Sequence, residues 1–141
     1  MLTLLVRRRI SATPARLFDA WTSAPELLAW WGPRGVECTH AEVDARVGGR
    51  YRIGNRLPDG QMIWLSGEFI EVEKPAKLVF TWNREGAQSE PERVTVRFEP
   101  RGTETEVIVL HERIADGRAR DGHEDGWQGC LDGLASHVTR S

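Results

Sequence analysis

The chain has 141 residues, of which 40% are apolar and 28% are charged, and its formal net charge is −2. This is the length of one domain, so we expect residues 1–141 to form a single globular unit that needs neither a disulfide nor a metal to hold it together. The small net charge gives no reason to expect a nucleic acid as a partner, and no apolar stretch is long enough to span a membrane.

The first predicted elements are a strand and two short helices. Residues 2–10 have strand character, and Thr13 followed by proline is typical of a helix start, with the helix continuing through "ARLFDAW". Pro25 predicts a second short helix, "PELLAWW", which ends at the Gly-Pro pair that follows. Ala24 would be the N-cap of this helix and offers no side-chain oxygen.

From Val36 onward the apolar residues recur with a period of two, which indicates strands. Turn residues such as "PDG", "KP", "EG" and "RG" separate the segments at short intervals, so neighbouring strands should be mostly antiparallel. The predicted strands after the helices are 36–44, 49–55, 62–72, 77–83, 92–100 and 103–112.

The last segment, about 122–140, returns to helical spacing and predicts one long amphipathic helix. Seven strands make a sheet about 30 Å wide, whereas one helix is only about 10–12 Å across. A flat sheet would leave much of its apolar face uncovered, so the sheet must curl around the helix. The predicted fold is therefore α+β, with a curved antiparallel seven-stranded sheet around the C-terminal helix.

Alternation selects the side chains that face the space between sheet and helix, and most of them are apolar or aromatic. Such a lining is typical of a pocket for a hydrophobic or aromatic small molecule, but the same side chains could simply fill a packed core. The candidate ligand-binding residues are Trp31, Tyr51, Ile53, Leu65, Phe69, Phe80, Trp82, Val96, Phe98, Val109, His111, Trp127, Cys130, Leu131 and Leu134.

Four glycines form a stripe beside the apolar face of the last helix: Gly122, Gly126, Gly129 and Gly133. Each interior glycine costs a helix about 0.5–1 kcal/mol relative to alanine, so the stripe requires a reason outside local propensity. One interpretation is close packing against a neighbouring backbone or a second subunit. The other is space kept for a ligand.

The segment "AWWGPRG" places Trp30 and Trp31 side by side at the end of the second helix. Successive helical residues point about 100° apart, so we expect the two indoles to face different surfaces. We expect Trp31 to pack toward the cavity and Trp30 to pack on the neighbouring helix or to lie partly exposed. The segment would then act as a lid hinge.

The sequence contains no catalytic, metal-binding or cofactor motif. His111 is either a polar anchor inside the cavity or a core histidine bonded to a backbone carbonyl, and His123 is interpreted as part of the capping region of the last helix. If the chain is an enzyme, His111, Glu68 and Tyr51 are the first candidates for the acid or base. The two cysteines lack metal-ligand spacing, and we expect reduced thiols in a cytoplasmic protein.

Several stretches together resemble the START-like helix-grip superfamily (START/Bet v 1-like, SRPBCC), and within it the group named after the activator of the 90-kDa heat-shock-protein ATPase. They are "ATPARLFDAWTSAPELLAWWGPRG", "EVDARVGGRYRI", "PDG", "SGEFIEVEKPAKLVFTW", "VTVRFEPRGTETEVIVLHER" and "GWQGCLDGLASHV". The resemblance covers nearly the whole chain. It implies a β-α-α-β(6)-α domain whose long helix is gripped by the curved sheet.

The resemblance leaves three functions open, because the superfamily contains carriers, co-chaperone domains, and polyketide cyclases and dehydratases. The leading hypothesis is a non-catalytic protein that binds a small hydrophobic or aromatic molecule or a lipid between the sheet and the C-terminal helix. The first alternative is an interaction module, with a heat-shock chaperone in a stress response or a second copy of the chain as partner. The second alternative is a cyclase-like or dehydratase-like enzyme.

Overall fold

The computed structural model describes residues 1–139, so the predicted end of the last helix at residue 140 lies outside the described part. The elements follow the predicted order, with a strand and two short helices before six further strands and a long helix. They are β1 (Leu2–Ile10), α1 (Pro14–Trp21), α2 (Ala24–Trp30), β2 (Glu37–Val43), β3 (Arg50–Arg56), β4 (Met62–Glu73), β5 (Lys77–Arg84), β6 (Glu92–Arg101), β7 (Glu104–Ile114) and α3 (Gly117–Thr139).

The strands form one curved sheet in the order β1-β7-β6-β5-β4-β3-β2, and every neighbouring pair is antiparallel. Register shifts interrupt the pairing near the start of β1, in β2 between Cys38 and His40, and in β4 between Phe69 and Glu71. Such irregularities bend a strand and increase its twist, which helps the sheet to curl. The predicted helix-grip fold is confirmed, with α3 packed against the sheet.

Two helix starts differ from the sequence predictions. Helix α2 is capped by Ser23, whose hydroxyl accepts a hydrogen bond from the Glu26 amide, and Ala24 is already inside the helix. Helix α3 begins at Gly117 instead of near residue 122, because the Asp116 carboxylate accepts from the Ala119 amide and caps the additional turns. His123 therefore lies inside α3 and not in its capping region.

Strand alternation predicted the inward face of β7 correctly. Val107, Val109 and His111 are fully buried, whereas Ile108 and Leu110 lie half-buried on the outer face. The buried core is continuous between the sheet and the three helices. Among residues 1–139, no helix is both long enough and apolar enough to cross a membrane.

Candidate functional site

A cavity of about 160 Å³ lies between the first half of α3, the loop after α2 and the ends of β3 and β4. An apolar cavity of about 150 Å³ can hold one benzene-sized molecule, so this space is larger than a packing defect. The lining is almost entirely apolar. Five of the predicted binding residues line it: Trp31, Leu65, Trp82, Trp127 and Cys130.

A second space of about 20 Å³ lies beneath α2. It is lined by four further predicted residues, Tyr51, Ile53, Phe69 and Phe80, and its volume suits about one water molecule. The three aromatic rings pack at centroid distances between 5.3 and 5.8 Å. Trp31 and Trp82 line both spaces and separate them.

The remaining predicted residues line neither of these two cavities. They are fully buried in the packed core, where Phe98 contacts the rings of Phe18 and Trp21. Alternation placed them correctly on the inner face, but inward orientation does not distinguish a cavity wall from core filling. The residues in this group are Val96, Phe98, Val109, His111, Leu131 and Leu134.

Trp31 lines the cavity and Trp30 packs on α1, as expected, but the lid-hinge interpretation of the pair is wrong. Trp30 and Trp31 are both buried, at 3% and 6% exposure, and their ring centroids are 5.4 Å apart in one aromatic cluster around Trp21. Trp31 is the C-cap residue with extended backbone angles, so the 100° helical rotation does not separate the two indoles. The Nε1 of Trp30 donates to the Ala20 carbonyl oxygen at 2.9 Å, which fixes α2 on α1.

The two halves of the glycine stripe have different surroundings. A Cβ at Gly129 would lie 2.8 Å from the Arg34 amide nitrogen, and one at Gly133 would lie 2.5 Å from the Trp30 carbonyl oxygen. These two glycines allow the backbone after α2 to approach α3. Gly122 and Gly126 instead line the 160 Å³ cavity, and a Cβ at Gly122 would have no atom within 4 Å.

A cluster of three polar side chains borders the cavity. The Nε2 of His111 lies 2.8 Å from Oε1 of Glu92, and the Nε2 of His123 lies 2.9 Å from the same oxygen. The two imidazole rings stack with centroids 4.3 Å apart. His111 is fully buried, whereas His123 lines the cavity and is partly exposed.

The hydrogen bonds of this cluster fix the tautomer of His111. The Nε1 of Trp127 is only a donor, and it lies 3.0 Å from Nδ1 of His111, so Nδ1 must be the accepting nitrogen. The proton of neutral His111 therefore sits on Nε2 and is donated to Glu92. His111 is thus neither bonded to a backbone carbonyl nor free to anchor a ligand.

Burial and charge determine the ionisation of the cluster. Burial alone would raise the pKa of Glu92, but the hydrogen bonds from His111 and His123 outweigh it and lower that pKa to about 2. Burial lowers the pKa of His111 below its ordinary value, against the opposing effect of its bond to Glu92. At neutral pH the cluster therefore contains an ionised Glu92 beside a neutral His111.

By distance alone, Glu92, His111 and His123 could hold a metal ion, since their ligand atoms lie within 4.8 Å of one another. A histidine that binds a metal through Nε2 normally donates its Nδ1 proton to an acceptor, which orients the ring. The opposite arrangement is present at His111, where Nδ1 accepts from Trp127. This hydrogen-bond pattern fits a proton-holding cluster better than a metal centre.

Sequence reasoning did not include Glu92 or His123 in the site, although signals for both were present. Glu92 precedes Val94 by two positions, so strand alternation places it on the inner face of β6. His123 precedes Trp127 by four positions, so both lie on the same face of α3. Glu68, one of the candidate acids, is exposed on the outer face beside Arg50.

Asn55 on β3 also lines the cavity, although it is not among the predicted binding residues. Its side chain is buried at 5% exposure, and its Nδ2 donates to the Ile63 carbonyl oxygen at 3.4 Å. Within residues 1–139, the Oδ1 of Asn55 is the buried side-chain oxygen or nitrogen that lacks a hydrogen-bond partner. An unsatisfied buried acceptor costs about 1–3 kcal/mol.

The side chain of Cys130 forms part of the apolar cavity wall, and its thiol is not suited to act as a nucleophile. Burial raises the pKa of Cys130 to about 12 and also raises the pKa of Cys38. Both cysteines are free thiols and buried. A nucleophilic cysteine needs an accessible thiolate, which these surroundings disfavour.

The chain is similar to a described protein family and to several solved structures. The family model for Activator of Hsp90 ATPase homolog 1-like protein matches residues 11–139. Protein CV1439 from Chromobacterium violaceum is 27% identical, with 99% of this chain and 98% of that chain covered and a TM-score of 0.90. The AHSA1 protein SPO3351 from Silicibacter pomeroyi is 26% identical, with 97% of each chain covered and a TM-score of 0.87. No curated protein matches the sequence.

Proposed function

The chain belongs to the family of Activator of Hsp90 ATPase homolog 1-like proteins, and we propose that it binds a small hydrophobic or aromatic molecule between its sheet and its C-terminal helix. The observation that carries the proposal is the 160 Å³ cavity with its almost entirely apolar lining. Three tryptophans border this cavity, and aromatic walls with few polar groups are typical of small-molecule sites.

The volume restricts the ligand. A cavity of this size suits a molecule with a single ring, whereas a lipid chain or a fused polycyclic compound would need rearrangement of the tryptophans. Trp31 and Trp82 separate the cavity from the smaller space beneath α2. The proposal therefore favours small aromatic molecules over lipids.

Binding can be tested by titrating the protein with toluene and phenol while tryptophan fluorescence and heat are measured. Trp31, Trp82 and Trp127 line the cavity, so an occupant should change the emission of the protein. A saturable change for at least one compound is expected. The absence of saturable binding for both compounds would contradict the proposal.

A matched pair of glycine variants in α3 locates the binding site. Gly126 lines the cavity, and a Cβ there would be in ordinary contact with Pro33 at 3.7 Å, so Gly126→Leu should fold and reduce affinity at least about tenfold. Gly117 lies in the same helix outside the cavity, with no atom within 4 Å of a Cβ. Gly117→Leu should bind like the unaltered protein, and equal affinities for both variants would place the ligand elsewhere.

An enzyme that transfers protons is the second candidate, favoured by the convergence of Glu92, His111 and His123 beside the cavity. A carboxylate that holds one nitrogen of a histidine leaves the other nitrogen to act as a base. With cyclohexanone as a probe, an α C–H bond would break, its proton would pass to His123, and the electron pair would move to the carbonyl oxygen.

Exchange of the cyclohexanone α-protons in deuterated water, followed by NMR, tests this candidate. The unaltered protein should accelerate the exchange, and His123→Asn should abolish the acceleration. His40→Asn is the control, because His40 pairs with Glu42 on an exposed part of β2. Equal rates for the unaltered protein and His123→Asn would exclude the enzyme. Association with a heat-shock chaperone or with a second copy of the chain remains a prediction.

A further inference from the structure

Gly122 on α3 lines the 160 Å³ cavity and is also exposed to solvent. The other residues of the lining are buried or half-buried. Within residues 1–139, no atom outside the neighbouring turns of α3 lies within 4 Å of the position that a Cβ at Gly122 would occupy. Helix α3 therefore leaves the cavity uncovered beside Gly122.

A surface groove of about 490 Å³ adjoins the cavity on this side. Exposed residues of the loop between β5 and β6 also line the groove, so the groove is open to solvent. Five residues line both the groove and the cavity: Ile63, Leu65, Trp82, Gly122 and His123. The two spaces therefore meet between the first turns of α3 and strand β4.

Packed groups close the cavity on two other sides. Toward α2, Trp31 is 6% exposed, and its ring centroid lies 5.7 Å from that of Trp127 and 6.2 Å from that of Trp82. Toward the loop after α2, a Cβ at Gly126 would already lie 3.7 Å from the side chain of Pro33. A ligand that entered on either side would have to displace these groups.

From this arrangement we propose that ligands enter and leave the cavity between Gly122 on α3 and Ile63 on β4, and that the absence of a side chain at Gly122 keeps this passage open. The inference rests on the proposed binding function and identifies the residue that controls access to the site. Glycine is a poor helix former, so its presence inside α3 requires a reason. At Gly133 the reason is the close approach of the Trp30 carbonyl oxygen, whereas Gly122 makes no such contact in the described part of the chain.

The test measures the association and dissociation rates of toluene and phenol by stopped-flow tryptophan fluorescence. Gly122→Phe should lower both rates at least about tenfold, because the ring narrows the passage in both directions. Gly117→Phe is the matched control, since Gly117 lies in the same helix outside the cavity, and it should exchange ligands like the unaltered protein. Unchanged rates in Gly122→Phe would overturn the inference. Faster dissociation would also overturn it, because the new side chain would then fill the cavity instead of narrowing the passage.

Ile63→Ala decides the question if Gly122→Phe does not fold. Ile63 is half-buried and lines both the cavity and the groove, so shortening it widens the opposite side of the passage. The association rate should then rise at least about threefold. Loss of contact with the bound ligand alone would speed dissociation only, so an unchanged association rate would overturn the inference. Failure of both toluene and phenol to bind the unaltered protein would contradict the proposed function and this inference with it.

Discussion

The indole Nε1 of Trp127 donates a hydrogen bond of 3.0 Å to Nδ1 of His111, and both side chains are buried. This bond joins α3 to β7 at the inner end of the Glu92 cluster. It determines that His111 donates through Nε2 to Glu92, and it also joins the long helix to the sheet beside the cavity. The packing of the core and the protonation of the site therefore depend on the same contact.

Replacing Trp127 by phenylalanine should destabilise the protein by about 1–3 kcal/mol, because Nδ1 of His111 would be buried without a donor. Part of the indole volume would also be lost. Urea unfolding followed by circular dichroism measures the change. Trp64→Phe is a suitable control, since Trp64 lies on the other part of the sheet beside His40 and Arg52. Equal losses of stability for both variants would contradict the role of the hydrogen bond.

Acid should destabilise the fold in two steps. The pKa of His111 lies below its ordinary value of 6.5 in the folded state, so the unfolded chain binds more protons as pH falls through 6.5. Glu92 is lowered from 4.5 to about 2, so its contribution is complete above pH 4.5 and is lost between about pH 4.5 and 2. The free energy of unfolding should therefore decrease with falling pH in both ranges.

The Glu92→Gln variant tests whether Glu92 causes the loss of stability between about pH 4.5 and 2. Glu26 and Asp132 also have lowered pKa values, so acid destabilisation alone does not identify Glu92. The variant should be less stable at pH 7, and the difference from the unaltered protein should shrink below pH 4.5. Urea unfolding at several pH values measures both profiles. Profiles that remain parallel from pH 7 to pH 3 would show that Glu92 is not held in its ionised form by the fold.

Alanine substitutions should divide the glycine stripe into two classes. Gly133→Ala would place a Cβ 2.5 Å from the Trp30 carbonyl oxygen, so it should destabilise the protein by about 1–3 kcal/mol. Gly122→Ala meets no atom within 4 Å and should stabilise the helix by about 0.5–1 kcal/mol. Thermal unfolding distinguishes the two results. Destabilisation by Gly122→Ala would mean that the cavity wall at Gly122 does not tolerate a side chain.

The fold could be predicted because its signals are local. Turn residues at short intervals and alternating apolar residues define the strands, and Thr13 caps α1 as expected through its bond to the Arg16 amide. The apolar face of α3 begins only at Trp127, so apolar spacing alone predicts a start later than Gly117. The Asp116 cap is a local signal for the earlier start.

The candidate site was only partly predictable, because its geometry depends on contacts between distant segments. Alternation shows that Phe98 and Leu65 both face inward, yet one is core and the other lines the cavity. Phe98 packs against Phe18 and Trp21, whereas Leu65 faces open space. No periodicity in the sequence encodes these contacts between distant segments. The burial of both Trp30 and Trp31 also escapes helical spacing, because the backbone at Trp31 is extended.

Divalent metals should not stabilise the protein through the Glu92 cluster. A ligand that binds only the folded state adds about 2.7 kcal/mol of stability when its concentration is a hundred times its dissociation constant. Metal binding at His111 would require moving the Nε2 proton to Nδ1, which would break the hydrogen bond that Nδ1 accepts from Trp127. Addition of zinc should therefore leave the urea midpoint unchanged, and cobalt should give no absorption bands of a tetrahedral site. A stabilisation by zinc that disappears in both Glu92→Gln and His123→Asn would reverse this assignment and identify the cluster as a metal site.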